Sequence, residues 1–248
     1  RFNLPSLPAS GFPSGPNMDK SKAVNTDPAK LGEAIDRVQY ATGRNDVRYY
    51  LNGVHVNDTH VVATDGHRLS QVTLNSADID PMIIHRDYLH LLIDALKQEG
   101  AKIQCNGHAI EVRHDKGRYR CALIDGAFPD YKRLTRVPED APKALVNPEQ
   151  LKPSMQRLKE FVSPTLPHVH TTINGELIEM STPDGGRDDA PVEAEGEWEG
   201  VNINPFYLGD ALDAIGRPFC WLNPSPSSAQ FFLDDEMNAV DVLMPVAV

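Results

Sequence analysis

Four helix starts recur along the chain about 60 residues apart, and this repeat constrains the fold more than any other feature. Asp27-Pro28 opens a stretch with Leu31, Ile35 and Val38 on one face, closed by Gly43. Arg86-Asp87 opens the run Tyr88 to Leu96, closed by Gly100. Asn147-Pro148 opens a stretch with Leu151, Met155, Leu158 and Val162. Asn204-Pro205 opens one with Leu208, Leu212 and Ile215, closed by Gly216. Three of the four place an Asn or Asp cap before Pro. The cap oxygen accepts a first-turn N–H, and Pro lacks the N–H that this turn leaves unpaired. Apolar residues spaced by three to four give each helix one face to bury.

Between the helices lie short alternating or β-branched runs split by turns. In Lys102 to Val112 the Asn106-Gly107 pair has the chemistry of a type I′ hairpin turn, and His170 to Met180 repeats it at Asn174-Gly175. The chain therefore reads as helix plus strands, four times over, an α+β protein. Pairing the units gives two domains, residues 14–136 and 137–248, with a Pro-rich, polar break near Thr135 to Ala144. Residues 1–13 fit neither and read as one strand before the linker Pro13 to Pro16. Pro183 to Gly200, acidic and Gly-rich, reads as a loop.

Composition narrows the function classes. The formal net charge of −11 disfavours nucleic-acid binding over the whole surface, because phosphate contacts need Lys and Arg. It leaves room for a basic face on an acidic body. No apolar run approaches the roughly 20 residues that span a bilayer, so no membrane partner is expected. Cys105, Cys121 and Cys220 are odd in number and far apart, which argues against a disulfide framework and for a reducing cytoplasm. The chain begins at Arg1 rather than Met, which suggests a piece of a longer protein.

Four scattered segments carry a family likeness: Arg48 to Val54 (RYYLNGV), Val62 to Leu69 (VATDGHRL), Leu123 to Leu134 (LIDGAFPDYKRL) and Val242 to Val248 (VLMPVAV). In this order and spacing they resemble the bacterial sliding clamp, the beta subunit of DNA polymerase III. The resemblance implies a DNA clamp fold, repeated helix-plus-antiparallel-sheet domains with pseudo-symmetry. Residues 1–13 would then be the end of a missing first clamp domain, 14–136 the middle domain and 137–248 the last. It further implies a non-catalytic processivity factor, without a cofactor, that encircles duplex DNA and holds partner peptides in a groove between the two domains. The walls would be Leu51, Thr64, Gly66, His67, Arg68, Leu69, Pro129, Arg133, Leu134, Val242, Leu243, Met244, Pro245 and Val246. Leu51, Leu69, Leu134, Val242 and Met244 would form an apolar floor for Leu and Phe anchors of a DNA polymerase, the clamp loader and other proteins with the clamp-binding motif.

Asn45, Arg48, Tyr49, Tyr50 and Arg86 match DNA-facing positions of the family, with the Tyr pair read as the start of a strand, one side chain in the core. Helix cations such as Lys30, Arg37, Arg44, Lys97, Lys152, Arg157, Lys159 and Arg217 would line the bore. Phe161 and Val162 match an apolar pair at the ring interface of a homo-oligomer. Without its first domain the chain would be monomeric or would form a three-subunit ring. A peptide-binding module that does not encircle DNA is the alternative reading. The tail departs from the family's commonest ending, a basic residue and a final Leu, with Ala247 and Val248 in those places.

Competing chemistry is weakly supported. Asp65, His67 and Ser70 lie on one turn and strand, whereas a catalytic triad converges from separate elements. Cys105 and His108 flank a hairpin turn with no second ligand pair, and His168 and His170 share one strand face. No Walker loop or dinucleotide fingerprint is present.

Overall fold

The computed structural model describes residues 8–11, 15–76, 79–196 and 198–248. Its strands are β1 (Lys22–Ala23), β2 (Gly53–Val56), β3 (His60–Thr64), β4 (Arg68–Thr73), β5 (Met82–His85), β6 (Lys102–Cys105), β7 (Ala109–His114), β8 (Gly117–Ala122) and β9 (Lys143–Val146). They continue with β10 (Val169–Asn174), β11 (Leu177–Ser181), β12 (Arg187–Pro191), β13 (Glu193–Glu195), β14 (Val201–Ile203), β15 (Phe219–Leu222), β16 (Gln230–Asp234) and β17 (Ala239–Leu243). The helices are α1 (Pro28–Val38), α2 (Leu89–Leu96), α3 (Pro148–Leu158) and α4 (Pro205–Ile215).

All four sequence-expected helices form, for the reasons their caps indicate. The side chains of Asp27, Asn147 and Asn204 accept backbone N–H groups of the first turns of α1, α3 and α4, each with Pro at the start. Gly216 ends α4 in a left-handed conformation. The second helix starts later than its sequence suggests: Arg86–Tyr88 is a 3-10 turn, capped by the His85 ring, and α2 begins at Leu89.

The strands form three antiparallel sheets: β1-β6-β7-β8, β12-β11-β10-β14, and a nine-stranded sheet ordered β13-β9-β15-β16-β17-β4-β3-β2-β5. The large sheet joins the two halves of the chain through β17 and β4, with Val242 opposite Leu69 and Leu243 opposite Arg68. Helices α1 and α2 pack over a core that includes Leu31, Ile35, Val54, Ile84, Leu92 and Ile110. Helices α3 and α4 pack over one that includes Leu151, Met155, Leu208, Leu212, Trp221 and Phe232. A third cluster, Val62, Leu69, Tyr131, Leu222, Phe231 and Val242, lies on the large sheet where the halves meet, with Phe128, Val137 and Ala141 packed against it.

Three local expectations fail. The Asn106-Gly107 hairpin is not type I′, which needs positive φ at both central residues. Only Gly107 has it (φ 80), and Asn106 donates its N–H to the Ala109 carbonyl at 3.2 Å. The central pair is therefore Gly107-His108, with Asn106 the last residue before the turn; the Asn174-Gly175 hairpin departs in the same way, Gly175 alone having positive φ (63) and Asn174 pairing with Leu177. The loop expected over Pro183 to Gly200 contains two strands, β12 and β13, each at the edge of a sheet. Of the strand expected before Pro13, residues 1–7 and 12–13 lie outside the described residues, and Ala9–Gly11 is a 3-10 turn.

Candidate functional site

Strands β3 and β4 are joined by the turn Asp65-Gly66-His67, and the turn's own side chains lock it. Thr64 Oγ1 donates to the Arg68 carbonyl at 2.7 Å and accepts the Gly66 N–H at 3.1 Å. Asp65 accepts the N–H groups of His67 and Arg68. Gly66 sits at φ 93, and a Cβ there would lie 3.1 Å from Arg48 Nη1. Both the dihedral and the approach of Arg48 therefore call for glycine. The lock leaves His67 exposed, its ring stacked on Tyr207 of α4 at 5.9 Å.

The chain's tail runs beside this turn. The Met244 N–H donates to the His67 carbonyl at 2.9 Å, and the Val246 N–H to the Asn202 carbonyl at 2.8 Å. Two backbone bonds thus clasp Met244-Pro245-Val246 between one half of the chain and the other. Met244 is 42 % exposed.

The expected floor separates into two kinds of residue. Leu69 and Val242 are paired opposite each other inside the third cluster, and Leu51 is buried too. Leu134 (51 % exposed) and Met244 are open apolar surface. Leu243 is a correction: strand alternation turns it to the opposite face, into the core under α3 and α4, so it is no groove wall. Arg68 is a second. It is buried, with Nε 3.1 Å from Asp65 and Nη1 2.6 Å from Asp210 on α4, and its guanidinium lies over the rings of Tyr207 and Tyr40. Its ion pairs and ring contacts are all internal, so it supports the turn.

Tyr131 is a residue that sequence reasoning missed. It is buried in the third cluster, and its hydroxyl accepts from Asn57 Nδ2 at 3.0 Å. Its carbonyl accepts the N–H groups of Leu134 and Thr135, which closes a turn exposing Lys132, Arg133 and Leu134. Phe128, stacked on His55 at 4.8 Å, pins the same segment. Pro129, Arg133 and Leu134 are thus held over the sheet junction by two aromatic anchors. The aromatic spacing in Phe128-Pro-Asp-Tyr131 was the available signal.

The DNA-facing expectations need more revision. Tyr49–Leu51 is a 3-10 turn rather than a strand, and neither tyrosine is core: Tyr49 is 54 % exposed and Tyr50 half-buried. Asn45 is exposed with φ 57. Arg48 pairs with Asp46 at 2.7 Å, holding that carboxyl down at about 2, and donates to the Asp65 carbonyl at 3.1 Å. The loop of Asn45 to Tyr50 and the turn of Asp65 to His67 are therefore one connected structure. Arg86 is half-buried and donates to the Gly43 carbonyl at 2.8 Å, which makes it a brace for this loop. Burial, then the nearby Arg44, lowers its pKa.

A family model described as DNA polymerase III beta subunit, central domain, matches residues 25–130. The beta sliding clamp of Pseudomonas aeruginosa is 30 % identical over 263 aligned positions, which cover 99 % of this chain and 71 % of that protein. The chain belongs to the beta sliding clamp family. The Vibrio cholerae beta sliding clamp is 29 % identical with the same coverage. Among solved structures, the DNA polymerase III beta subunit of P. aeruginosa superposes with a TM-score of 0.86 at 26 % identity, covering 98 % of this chain and 70 % of that one. The Caulobacter crescentus beta sliding clamp superposes at 0.87 and 25 % identity, covering all of this chain and 71 % of that one. As a family member the chain is a non-catalytic processivity factor of DNA replication.

Against this clamp fold the expected bore cations are largely neutralised from within. Arg37 is the clearest correction. It is buried against Asp241 of β17, at 2.5 and 3.1 Å, with Asp234 at 3.9 Å and Tyr40 Oη 2.7 Å from Asp241. Burial alone would lower its pKa, and the Asp241 carboxylate more than offsets that, so Arg37 titrates above its ordinary value. Lys97 pairs with Asp36, Lys152 with Asp213, Arg157 with Asp188, and Arg217 with Glu236. Lys30, Arg44 and Lys159 have no carboxylate partner among the described residues, and Lys159 lies 5.5 Å from the Phe206 ring. Phe161 is 53 % exposed and Val162 packs at the edge of the second core. No helix among the described residues is long and apolar enough to cross a membrane.

Proposed function

We propose that this chain forms part of a ring around duplex DNA, and that the junction of its two clamp domains, residues 14–136 and 137–248, holds a short extended peptide of a DNA polymerase or clamp loader. The observation that carries this reading is the clasp of Met244 to Val246 between His67 and Asn202, with Met244 left 42 % exposed. It keeps an apolar strip at the chain's end ordered yet open to solvent, where buried Leu and Phe anchors could supply most of the binding energy. The peptide-contacting set is His67, Gly66, Pro129, Arg133, Leu134, Met244, Pro245 and Val246. Leu51, Thr64, Arg68, Leu69 and Val242 act beneath it as support.

DNA would be met by Asn45, Arg48, Tyr49 and Tyr50 and by the unpaired helix cations. Phe161 and Val162 would serve a neighbouring subunit in the ring. The test is fluorescence-polarisation binding of a labelled Gln-Leu-Ser-Leu-Phe peptide. Binding in the micromolar range is expected, and no binding to folded protein would remove the reading.

The same account makes DNA affinity weak and shallow in its salt dependence. With Lys30, Arg44 and Lys159 the uncommitted cations of the expected bore set, log Kobs should fall with log[salt] at a slope of about −3. A slope near −8 on linear duplex would show that the internal ion pairs open onto phosphate.

A further inference from the structure

Resting on the proposed peptide site, we propose that the turn after Tyr131 selects partners whose anchors are flanked by Asp or Glu. Lys132, Arg133 and Arg136 are all exposed on or just after this turn, with Leu134 between them. None has an ion-pair partner among the described residues, although carboxylates outnumber Lys and Arg by 35 to 24 in the chain. Many other cations near the helices and sheets are already committed, as Arg37, Lys97, Lys152, Arg157 and Arg217 show. The nearest carboxylate in sequence, Asp130, accepts the Lys132 backbone N–H at 3.1 Å, which orders the turn. Tyr131 is buried in the same cluster as Leu69 and Val242, with half-buried Phe128 packed against it, so the basic turn is anchored on the junction from which the apolar tail runs.

A basic turn anchored on the same junction as an apolar docking strip favours an extended peptide with acidic residues flanking its hydrophobic anchors. Rim charges of this kind act mainly by steering and by excluding like-charged partners, and salt screens them over about 10 Å at 0.1 M. The occupant is therefore an acidic-flanked peptide rather than a basic or neutral one.

The experiment compares two labelled peptides with the same Gln-Leu-Ser-Leu-Phe core, one flanked on both sides by Asp-Glu and the other by Asn-Gln. At about 50 mM salt the acidic-flanked peptide should bind about tenfold more tightly, and the difference should close toward 0.5 M. The Lys132→Ala/Arg136→Ala variant, which spares Arg133 and every residue of the peptide-contacting set, should cut the preference to about threefold or less and leave the neutral-flanked affinity unchanged. Equal wild-type affinities, or a preference undiminished in the variant, would overturn the proposal while leaving the peptide site standing. Failure of both peptides to bind would overturn the site reading and the proposal together.

Discussion

Asp241→Asn should destabilise the chain by about 3–5 kcal/mol, the cost of leaving a buried cation without its partner. Arg37 and Asp241 are almost wholly buried, with side-chain exposures of 3 % and 1 %. The Asp241 carboxylate accepts two guanidinium bonds and the Tyr40 hydroxyl. Asn keeps the shape but removes the charge, and its amide N–H₂ would point at donors. The fall in melting temperature should be on the order of 10 °C for a chain of this size. Arg37→Met combined with Asp241→Leu removes both charges and should recover most of the loss, since apolar replacement of a buried pair is commonly neutral or stabilising. Asp234 would still have Arg217 at 3.8 Å. Chemical denaturation of the parent and the two variants checks this. A single variant within 1 kcal/mol of the parent would mean that water or relaxation solvates the site.

Arg68→Ala should cost about 3 kcal/mol and loosen the junction of the two halves. The substitution deletes ion pairs to Asp65 and Asp210 and the stacking on Tyr40 and Tyr207. Asp210 is 46 % exposed, so solvent screening discounts that pair, and the two cation–π contacts add roughly 1 kcal/mol each. Arg68→Lys should restore less than half, because an ammonium cannot reach two carboxylates with a planar fork while covering two rings. The Asp65-Gly66-His67 turn depends on this residue, so amide exchange there should rise in both variants ahead of global unfolding. Unchanged exchange would show that the Asp65 and Thr64 bonds hold the turn unaided.

The helical framework was legible from sequence because caps and apolar spacing are local signals, as Asp27-Pro28 and Asn204-Pro205 show. The charged edge was not. Arg187–Pro191 reads RDDAP, with no apolar alternation, because an edge strand with an exposed face is specified by backbone pairing rather than by two packed sides. Arg37 looked like any solvated helix arginine, since its partner lies 204 residues away. The usable clue was Asp241 itself, a carboxylate between Val240 and Val242 in an apolar strand, which burial obliges to find a cation. In the candidate site, Met244, Leu134 and His67 kept the exposure a peptide wall needs. Leu243 and Arg68 did not, because pleat direction and long-range pairing settle where a side chain points. Tyr49-Tyr50 resembles a strand start in sequence because a single 3-10 turn leaves little periodicity to detect.

The most direct measurement of the central claim is amide hydrogen exchange with and without the Gln-Leu-Ser-Leu-Phe peptide, on the parent chain and on Met244→Lys. The account predicts slowed exchange confined to three stretches, Asp65 to Leu69, Tyr131 to Leu134 and Met244 to Val246. All three effects should disappear in Met244→Lys, which places a charge where the apolar strip is open. Peptide-dependent protection on another surface, such as that of the exposed Leu145 on β9 and Leu177 on β11, or protection that survives Met244→Lys, would contradict it.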